Sequence, residues 1–250
     1  MAIARIADST AQHAPTAASG TCILNISDAS LQVGDWMIVA VSRYLGGLNE
    51  TPTAPAVADV AKDTGNATFG TAVLDKLVLN QYGAESPYSY LWSALFHLPV
   101  TGAGGSNMLH ANNSAIGHWQ WAACVGIRGS AALSVEDTDA GTGASGGAVT
   151  GTVSTAGAGY LAGAAAWDSS TDITITQVSP WTQIFAEGNA DTVMTGALLE
   201  QIVTGAATDA AEWSSPTTPP WSATVVAYTD GTGGSSLDLS VGTVLIETPF

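Results

Sequence analysis

Positively charged side chains are the scarcest groups in this 250-residue chain. Lysine and arginine number 5 against 21 aspartates and glutamates, which gives a formal net charge of −16. Such a surface repels phosphate, which argues against nucleic-acid binding and against electrostatic attachment to anionic lipid. Charged residues make up only 10% of the chain, against about 25% in an average globular protein. The polar surface must therefore come mainly from Ser, Thr, Asn, Gln and Gly, a composition common on particles and outside the cytosol.

Cysteine is also scarce. Cys22 and Cys124 lie in separate apolar runs, "TCILNI" and "WAACVGI", and their spacing fits neither a zinc site nor a disulfide scaffold. We expect two buried free thiols. A Cys22–Cys124 bridge would require neighbouring strands and an oxidising compartment.

Long apolar segments are missing as well. The stretch "MAIARIADSTAQHAPTAASG" lacks the apolar core of a signal peptide, and no run of about 18 apolar residues occurs. We expect a protein made in a cytoplasm that does not span a membrane. If it acts outside a cell, it would arrive there as part of an assembled particle or by a route that does not use a signal peptide.

The hydrophobic pattern that is present has the period of strands. "GTCILNIS" (20–27) alternates, and "GDWMIVAVSRY" (34–44) is a nearly continuous apolar run, typical of a strand covered on both faces. Further strands are predicted at 69–80, 88–98, 115–129, 147–155, 158–167, 172–178, 181–187, 192–203, 221–229 and 236–247. Together with glycine-rich breaks, this spacing predicts an all-β, antiparallel β-sandwich.

Few segments favour anything else. Only 54–63 and 204–213, both short and Ala-rich, could form helices. The Pro- and Gly-rich segment 46–68 is predicted to be a long exposed loop. "SSPTTPPW" (214–221) is predicted to be a stiff, extended edge segment that either contacts another subunit or protects a sheet edge.

The domain organisation follows from these breaks. We expect an N-terminal arm at 1–18, a single sandwich domain at 19–229 and a C-terminal strand or docking tail at 230–250. The Gly-rich segment 139–151 leaves a second interpretation open, in which it links two domains. Neither half shows a balanced strand set of its own, which favours one sandwich with a flexible connection.

The stretch "HWQWAACVGIRG" (118–129) poses the question of whether its tryptophans bind a ligand or fill the core. At period two, Trp119, Trp121 and the following apolar residues point to one face. We therefore expect both rings to pack between sheets. The opposite face, with His118, Gln120 and Arg128, becomes the side on which contacts are expected.

Tryptophan is abundant, with 8 in the chain, and three of them are predicted at loop edges. Trp181, Trp213 and Trp221 are the candidate ligand-facing rings, because sugar-binding sandwiches stack flat aromatic rings on pyranose faces. The alternative for each is a core position with a partner for the indole N–H.

Acidic residues suggest two further sites. Glu136, Asp137 and Asp139 are expected in a Gly-flanked turn and could offer oxygen ligands to Ca²⁺, although their spacing does not match an EF-hand loop. No other cofactor is expected. A glycan hydrolase would need two carboxylates, and nothing in the sequence selects a pair among the many candidates, which include Asp168, Asp172, Glu187 and Glu200. The four histidines form no metal-ligating pair, and Ser145 lacks the context of a nucleophile elbow.

The order of the motifs carries a resemblance. "VGDWMIVAVS", "YSYLWSALF", "WAACVGIRG", "GYLAGAAAWDSS", "PWTQIFAEG", "GALLEQIVTG" and "WSATVVAYT" follow one another between 20 and 229. This pattern resembles β-sandwich, jelly-roll-like virion proteins of tailed bacteriophages. The resemblance implies that the antiparallel β-sandwich is of jelly-roll type. The resemblance implies a particle component such as a capsid decoration, head-fibre or tail-fibre protein, and it transfers no catalytic residue.

The C-terminal segment "SSLDLSVGTVLIETPF" matters for such an assembly. Leu237, Leu239 and Val241 alternate with polar residues, and an apolar end follows. The apolar side chains expected to make assembly contacts are Val244, Leu245, Ile246 and Phe250. Either this segment closes the sandwich as an edge strand, or it docks on a neighbouring chain.

These observations lead to a ranked expectation of function. The first is a non-enzymatic structural component of a phage particle, located in the virion, which binds other virion proteins and itself and could contact a host-surface glycan. The second is a carbohydrate-binding module or adhesin that uses the loop tryptophans. A glycan hydrolase comes third.

Overall fold

The computed structural model describes residues 3–16, 20–48, 53–83, 88–112, 119–169, 173–188, 194–217 and 219–231. Its strands are β1 (Ala4–Arg5), β2 (Ala11–Thr16), β3 (Thr21–Ile26), β4 (Trp36–Leu48), β5 (Val60–Thr64), β6 (Thr68–Phe69), β7 (Val73–Tyr82), β8 (Tyr88–Gly102), β9 (Asn107–Asn112), β10 (Trp119–Arg128), β11 (Ser134–Gly143), β12 (Val149–Thr155), β13 (Gly159–Asp168), β14 (Thr176–Gln177), β15 (Thr182–Gly188), β16 (Met194–Val203), β17 (Ala207–Ser214) and β18 (Trp221–Thr229). A single 3-10 turn, Val57–Asp59, precedes β5. Among these residues no helix is long and apolar enough to cross a membrane.

The strand pairs of the described residues are antiparallel and form four sheets. Sheet I has the order β2-β10-β4-β8-β7, with β1 beside β10 and β6 beside β8. Sheet II is β3-β9-β5, sheet III is β11-β18-β13-β16-β15 and sheet IV is β12-β17-β14. The prediction of an all-β antiparallel sandwich is confirmed, and its jelly-roll type stays a prediction.

Three apolar cores separate the sheets and stack them in the order II, I, III, IV. The first core joins β3 and β9 to one face of β4, β8 and β10. The central core joins the other face of those three strands to β13, β16 and β18. The third core joins the opposite face of sheet III to β12 and β17. Sheets I and III are thus covered on both faces, which explains their near-continuous apolar sequences.

The two halves of the chain therefore form two sandwiches rather than one. Sheets I and II make the N-terminal sandwich, and sheets III and IV make the C-terminal sandwich. The predicted domain bounds, with an arm at 1–18, a single domain at 19–229 and a tail at 230–250, stay a prediction. The Gly-rich segment 139–151 is not the boundary, because it ends β11 and begins β12. The connection between the sandwiches is the short stretch 129–133 instead.

The tryptophan-rich strand β10 lies in the middle of this stack. Trp121 is fully buried in the central core, and Trp119 packs against the same core while half-buried. The prediction that the rings fill space between sheets is confirmed. Gln120, expected on a contact face, is fully buried, because that face of β10 meets sheet II. His118 lies outside the described residues.

Several elements differ from the sequence prediction. The Ala-rich segment 204–213 forms β17 instead of a helix, and 54–63 forms a 3-10 turn followed by β5. Ala211 and Trp213 on β17 are buried in the third core, so tertiary burial overrides the helical preference of alanine. The predicted acidic turn is the strand β11, and β2 and β9 were not predicted at all.

Candidate functional site

An apolar groove of about 640 Å³ opens at the edge of the N-terminal sandwich. Its walls include the β5 region at Val57–Lys62 and the segment 68–72. Val57 and Phe69 line it while only partly buried against the first core. Lys62, one of five cations in the chain, lies at its wall and donates to the backbone oxygen of Ala67 over 2.9 Å.

The groove exists because the two sheets of this sandwich have unequal widths. Sheet II has three strands, whereas sheet I has five strand positions. β3 lies against β2 and β10, so β5, at the other edge of sheet II, stops short of the β7 edge of sheet I. Within the described residues β5 pairs only with β9. It therefore presents an open edge beside an incompletely covered apolar face.

A buried arginine holds the outer wall of the groove in place. Arg43 is fully buried, and its Nη2 atom donates to Oδ2 of Asp59 over 2.8 Å and to the backbone oxygen of Asn112 over 2.7 Å. Its other nitrogens donate to Gln120 Oε1 and to the backbone oxygen of Ala54. Burial lowers the pKa of this guanidinium, and the charge of Asp59 opposes that shift. The network ties the 54–59 segment to strands β4, β9 and β10.

The two cysteines lie in the first core as buried free thiols, and Cys22 contacts Gln120 of this network. This confirms the favoured prediction. Burial raises the thiol pKa from its ordinary 9.0 to about 11 in Cys22 and to about 12 in Cys124. Both groups remain protonated and unreactive at neutral pH.

We expect the folded protein to lose stability in alkali. A thiol whose pKa is higher in the folded than in the unfolded state favours folding at pH values below 9, and this contribution is lost as the pH rises through 11 to 12. Urea unfolding midpoints measured from pH 7 to 11 should be flat up to about pH 8.5 and then fall. The double variant Cys22→Ala, Cys124→Ala should show a shallower fall, and an unchanged slope would contradict the assignment.

A second cavity of about 380 Å³ lies beside the N-terminal segment. Arg5 and Arg128 line it, but both guanidinium groups have partners. Arg128 forms a two-bond pair with Asp35, at 2.7 and 2.6 Å, and Arg5 pairs with Glu200. The arginines therefore brace this corner of the molecule.

The three tryptophans predicted to face a ligand do come together, but in the third core. Trp181, Trp213 and Trp221 are only 4%, 1% and 6% exposed. Trp167 joins them, with its ring edge-on to Trp213 at 6.0 Å. The predicted exposed placement is corrected: these rings close one end of the C-terminal sandwich and offer no open face to a sugar.

The polar atoms of this cluster are unusually poorly satisfied. The indole N–H of Trp221 donates to the backbone oxygen of Ser145. The indole nitrogens of Trp167, Trp181 and Trp213 have no hydrogen-bond partner in the described part of the chain. Such groups add no net hydrogen-bond energy, so the rings stabilise the core through apolar burial.

The acidic trio lies on a strand and binds backbone amides. Glu136 accepts from Ala156 N–H over 2.7 Å, and Asp137 accepts from Ser154 N–H over 2.9 Å. Asp139 accepts from the N–H of the next residue. The bonds of Glu136 and Asp137 join β11 of sheet III to the end of β12 of sheet IV and the residue that follows it. Within the described residues no group of three or more His, Cys, Asp or Glu side chains is placed to hold a metal ion; calcium binding stays a prediction.

The hydrolase candidates are dispersed. Glu200 on β16 pairs with Ala162 on β13. Asp168 lies at the end of β13, about 20 Å from Ala162 at the rise of a β-strand. That exceeds the separation of about 5–9.5 Å between the carboxylates of glycosidases. Glu187 lies on the edge strand β15, and Asp172 lies outside the described residues.

Buried carboxylates instead tie the two sandwiches together. Asp75 on β7 accepts from Tyr228 on β18 over 2.8 Å and lies 2.7 Å from Nδ1 of His97. Trp36 stacks on the His97 ring, with centroids 3.8 Å apart. On the same interface, Tyr82 donates to Asp168. Burial and the neighbouring carboxylate raise the pKa of Tyr228, and burial raises that of Asp168.

Sequence reasoning did not find the groove. Val57 occurs in the Pro- and Gly-rich segment 46–68, whose composition predicted an exposed loop, and Phe69 begins the strand predicted at 69–80. Only their apolar character hinted at a covered position. The predicted assembly residues Val244, Leu245, Ile246 and Phe250 lie outside the described residues. Comparison of the chain with protein-family models, curated proteins and solved structures found no match.

Proposed function

We propose that the chain is a non-enzymatic structural component of a phage particle that assembles by strand addition. The observation that carries the assembly part is the open β5 edge beside the apolar groove. Support for the particle comes from the motif order, which resembles tailed-phage virion proteins. The net charge of −16 would keep finished particles apart in solution.

The groove has the features of a site that accepts an extended segment. An added strand would pair its backbone with the free edge of β5 and place alternate side chains over the uncovered face of sheet I. Val57, Phe69 and Ala72 offer apolar contacts there. An open edge next to apolar surface favours pairing with another chain unless it is covered.

The proposed occupant is the C-terminal segment 242–250. Its "VLIETPF" sequence would offer apolar side chains to the groove, and the negative charge of Glu247 is opposite to that of Lys62 at the groove wall. The chain leaves the C-terminal sandwich at residues 229–231, while the groove opens on the far side of sheet I. A tail that docks on a neighbouring chain would not have to pass around the edge of sheet I. Repeated docking of this kind would build an oligomer or lattice.

Self-association tests this proposal. Sedimentation velocity of the full chain should show concentration-dependent oligomers, and deletion of 242–250 should leave monomers. Ala58→Glu and Thr71→Glu place a charge at exposed positions of the groove wall and should weaken association by at least about tenfold, because docking would bury an unpaired carboxylate.

The matched control is Thr208→Glu, which adds the same charge at an exposed position on sheet IV and should leave association unchanged. An unchanged oligomer mass after deletion of 242–250 would contradict the proposal. For the particle, mass spectrometry of purified virions from the encoding phage should find the chain at many copies per particle; its absence there would contradict the virion assignment.

A further inference from the structure

The two sandwiches share one topology. In each half, eight strands follow one another along the chain, with β1 and β6 as additional short strands in the first. Numbered from β2, the N-terminal strands are ordered 1-8-3-6-5 in sheet I and 2-7-4 in sheet II. Numbered from β11, the C-terminal strands are ordered 1-8-3-6-5 in sheet III and 2-7-4 in sheet IV.

The register of the strands agrees between the halves as well. Ala40 pairs with Leu95 where β4 meets β8, and Ala164 pairs with Leu198 where β13 meets β16. With these positions aligned, the bulge between Leu74 and Lys76 on β7 falls on the bulge between Gln183 and Phe185 on β15. A bulge at the same position of the same strand is a specific feature.

The sequences at these positions match too. "SALFHLPVTGA" (93–103) aligns without a gap to "GALLEQIVTGA" (196–206), with shared Ala-Leu and Val-Thr-Gly-Ala. The segments cover β8 and β16 and the turns that follow them. Topology, register and sequence thus agree on one repeated module.

The modules meet through a two-fold arrangement. Sheet I packs on sheet III with β4 against β13, the third strand of each module, at the centre. On one side β8 lies against β18 and β7 against β11; on the other, β16 lies against β10 and β15 against β2. When the two modules are exchanged, the contact of β8 with β18 becomes that of β16 with β10. In the same way, the contact of β7 with β11 becomes that of β15 with β2. This reciprocity is the mark of an isologous interface, the kind that joins identical subunits.

One contact breaks the symmetry. A Cβ atom on Gly196 would lie 2.2 Å from the Trp121 ring, so the indole fills the space that this glycine leaves open. In the alignment of the modules, Ser222 is equivalent to Trp121, and Ser93 is equivalent to Gly196. The symmetry-related contact therefore has a serine at each position. Two N-terminal modules would press Trp121 against a serine side chain, and two C-terminal modules would leave the Gly196 space unfilled.

We infer that the central surface of each module is a dimerisation surface, inherited from a homodimer whose gene was duplicated and fused, and that its partner is the unlike module. The Trp121–Gly196 fit selects the mixed pair. The 129–133 connection raises the local concentration of the modules but is not needed to hold them together.

Cleavage of the connection in the full chain tests this inference. A protease recognition sequence inserted between the exposed residues Ala131 and Ala132 allows the folded chain to be cut. Native mass spectrometry should then find both modules in one complex. When heavy- and light-isotope cut proteins are mixed in mild urea and returned to buffer, only mixed pairs of one N-terminal and one C-terminal module should form.

Gly196→Ala gives the test of specificity. It should raise the dissociated fraction of the cut protein by at least about tenfold, because the added methyl group overpacks the Trp121 contact. Gly205→Ala is the matched control, since a Cβ there meets nothing within 4 Å, and it should change nothing. Modules that separate on cutting, or like pairs as frequent as mixed ones, would overturn the inference, as would equal effects of the two variants.

Discussion

Replacement of Arg43 by alanine is expected to cost about 3–5 kcal/mol of the free energy of unfolding, because it leaves a buried carboxylate without its counter-ion. The Arg43 side chain is fully buried and joins Asp59, Gln120 and Asn112 through short hydrogen bonds. A loss of that size is a large fraction of the stability of an ordinary domain. Urea unfolding followed by tryptophan fluorescence measures it.

Two companion variants distinguish the loss of a buried, paired charge from the loss of any positive charge. Lys76→Ala removes one cation for which no ion pair is found among the described residues and should change stability by no more than about 0.5 kcal/mol. The double variant Arg43→Met, Asp59→Asn should recover part of the loss, because it removes both charges together. Equal losses in Arg43→Ala and Lys76→Ala would contradict the buried network.

Trp213→Ala is expected to destabilise the C-terminal sandwich by about 3–5 kcal/mol, since it opens a large cavity in the third core. Trp213 is 1% exposed, packs edge-on against Trp167 and has no partner for its indole N–H among the described residues. Trp213→Phe keeps an aromatic ring and loses no hydrogen bond, so it should cost markedly less. Calorimetric melting of the three proteins gives the comparison.

The same variants test the carbohydrate-binding alternative on a glycan array. With the rings buried, we expect no saturable sugar binding that depends on Trp181, Trp213 or Trp221. A glycan that binds the natural chain, and is lost in Trp213→Ala while the protein stays folded, would show that a ring opens to a ligand and would restore the alternative.

Strand periodicity predicted much of the fold because burial on both faces leaves a direct record in the sequence. The apolar run at 34–44 became β4, which contributes to the first and central cores. The Trp119 and Trp121 alternation likewise predicted the face of β10 that packs inward. Where a strand is polar along most of its length, as β11 is with Glu136, Asp137 and Asp139, the sequence predicted a turn.

The arrangement of the sheets could not be read from periodicity. The alternation of apolar and polar residues shows which face of a strand is buried, but it does not show which sheet covers that face. Two stacked sandwiches therefore give the same sequence pattern as one. The repeat of 93–103 at 196–206 was the signal for two modules. The predicted exposed placement of Trp213 was wrong for a related reason. Its neighbours in the sequence are loop-like, whereas its burial depends on β13, which lies far away along the chain.

A photoreactive amino acid at position 58, on the exposed wall of the groove, tests the assembly claim most directly. Heavy- and light-isotope full chains are mixed and irradiated, and the cross-linked peptides are identified by mass spectrometry. Strand addition between chains predicts heavy–light cross-links that map to residues 242–250. Cross-links confined to one chain, cross-links to other segments, or none at all would contradict it.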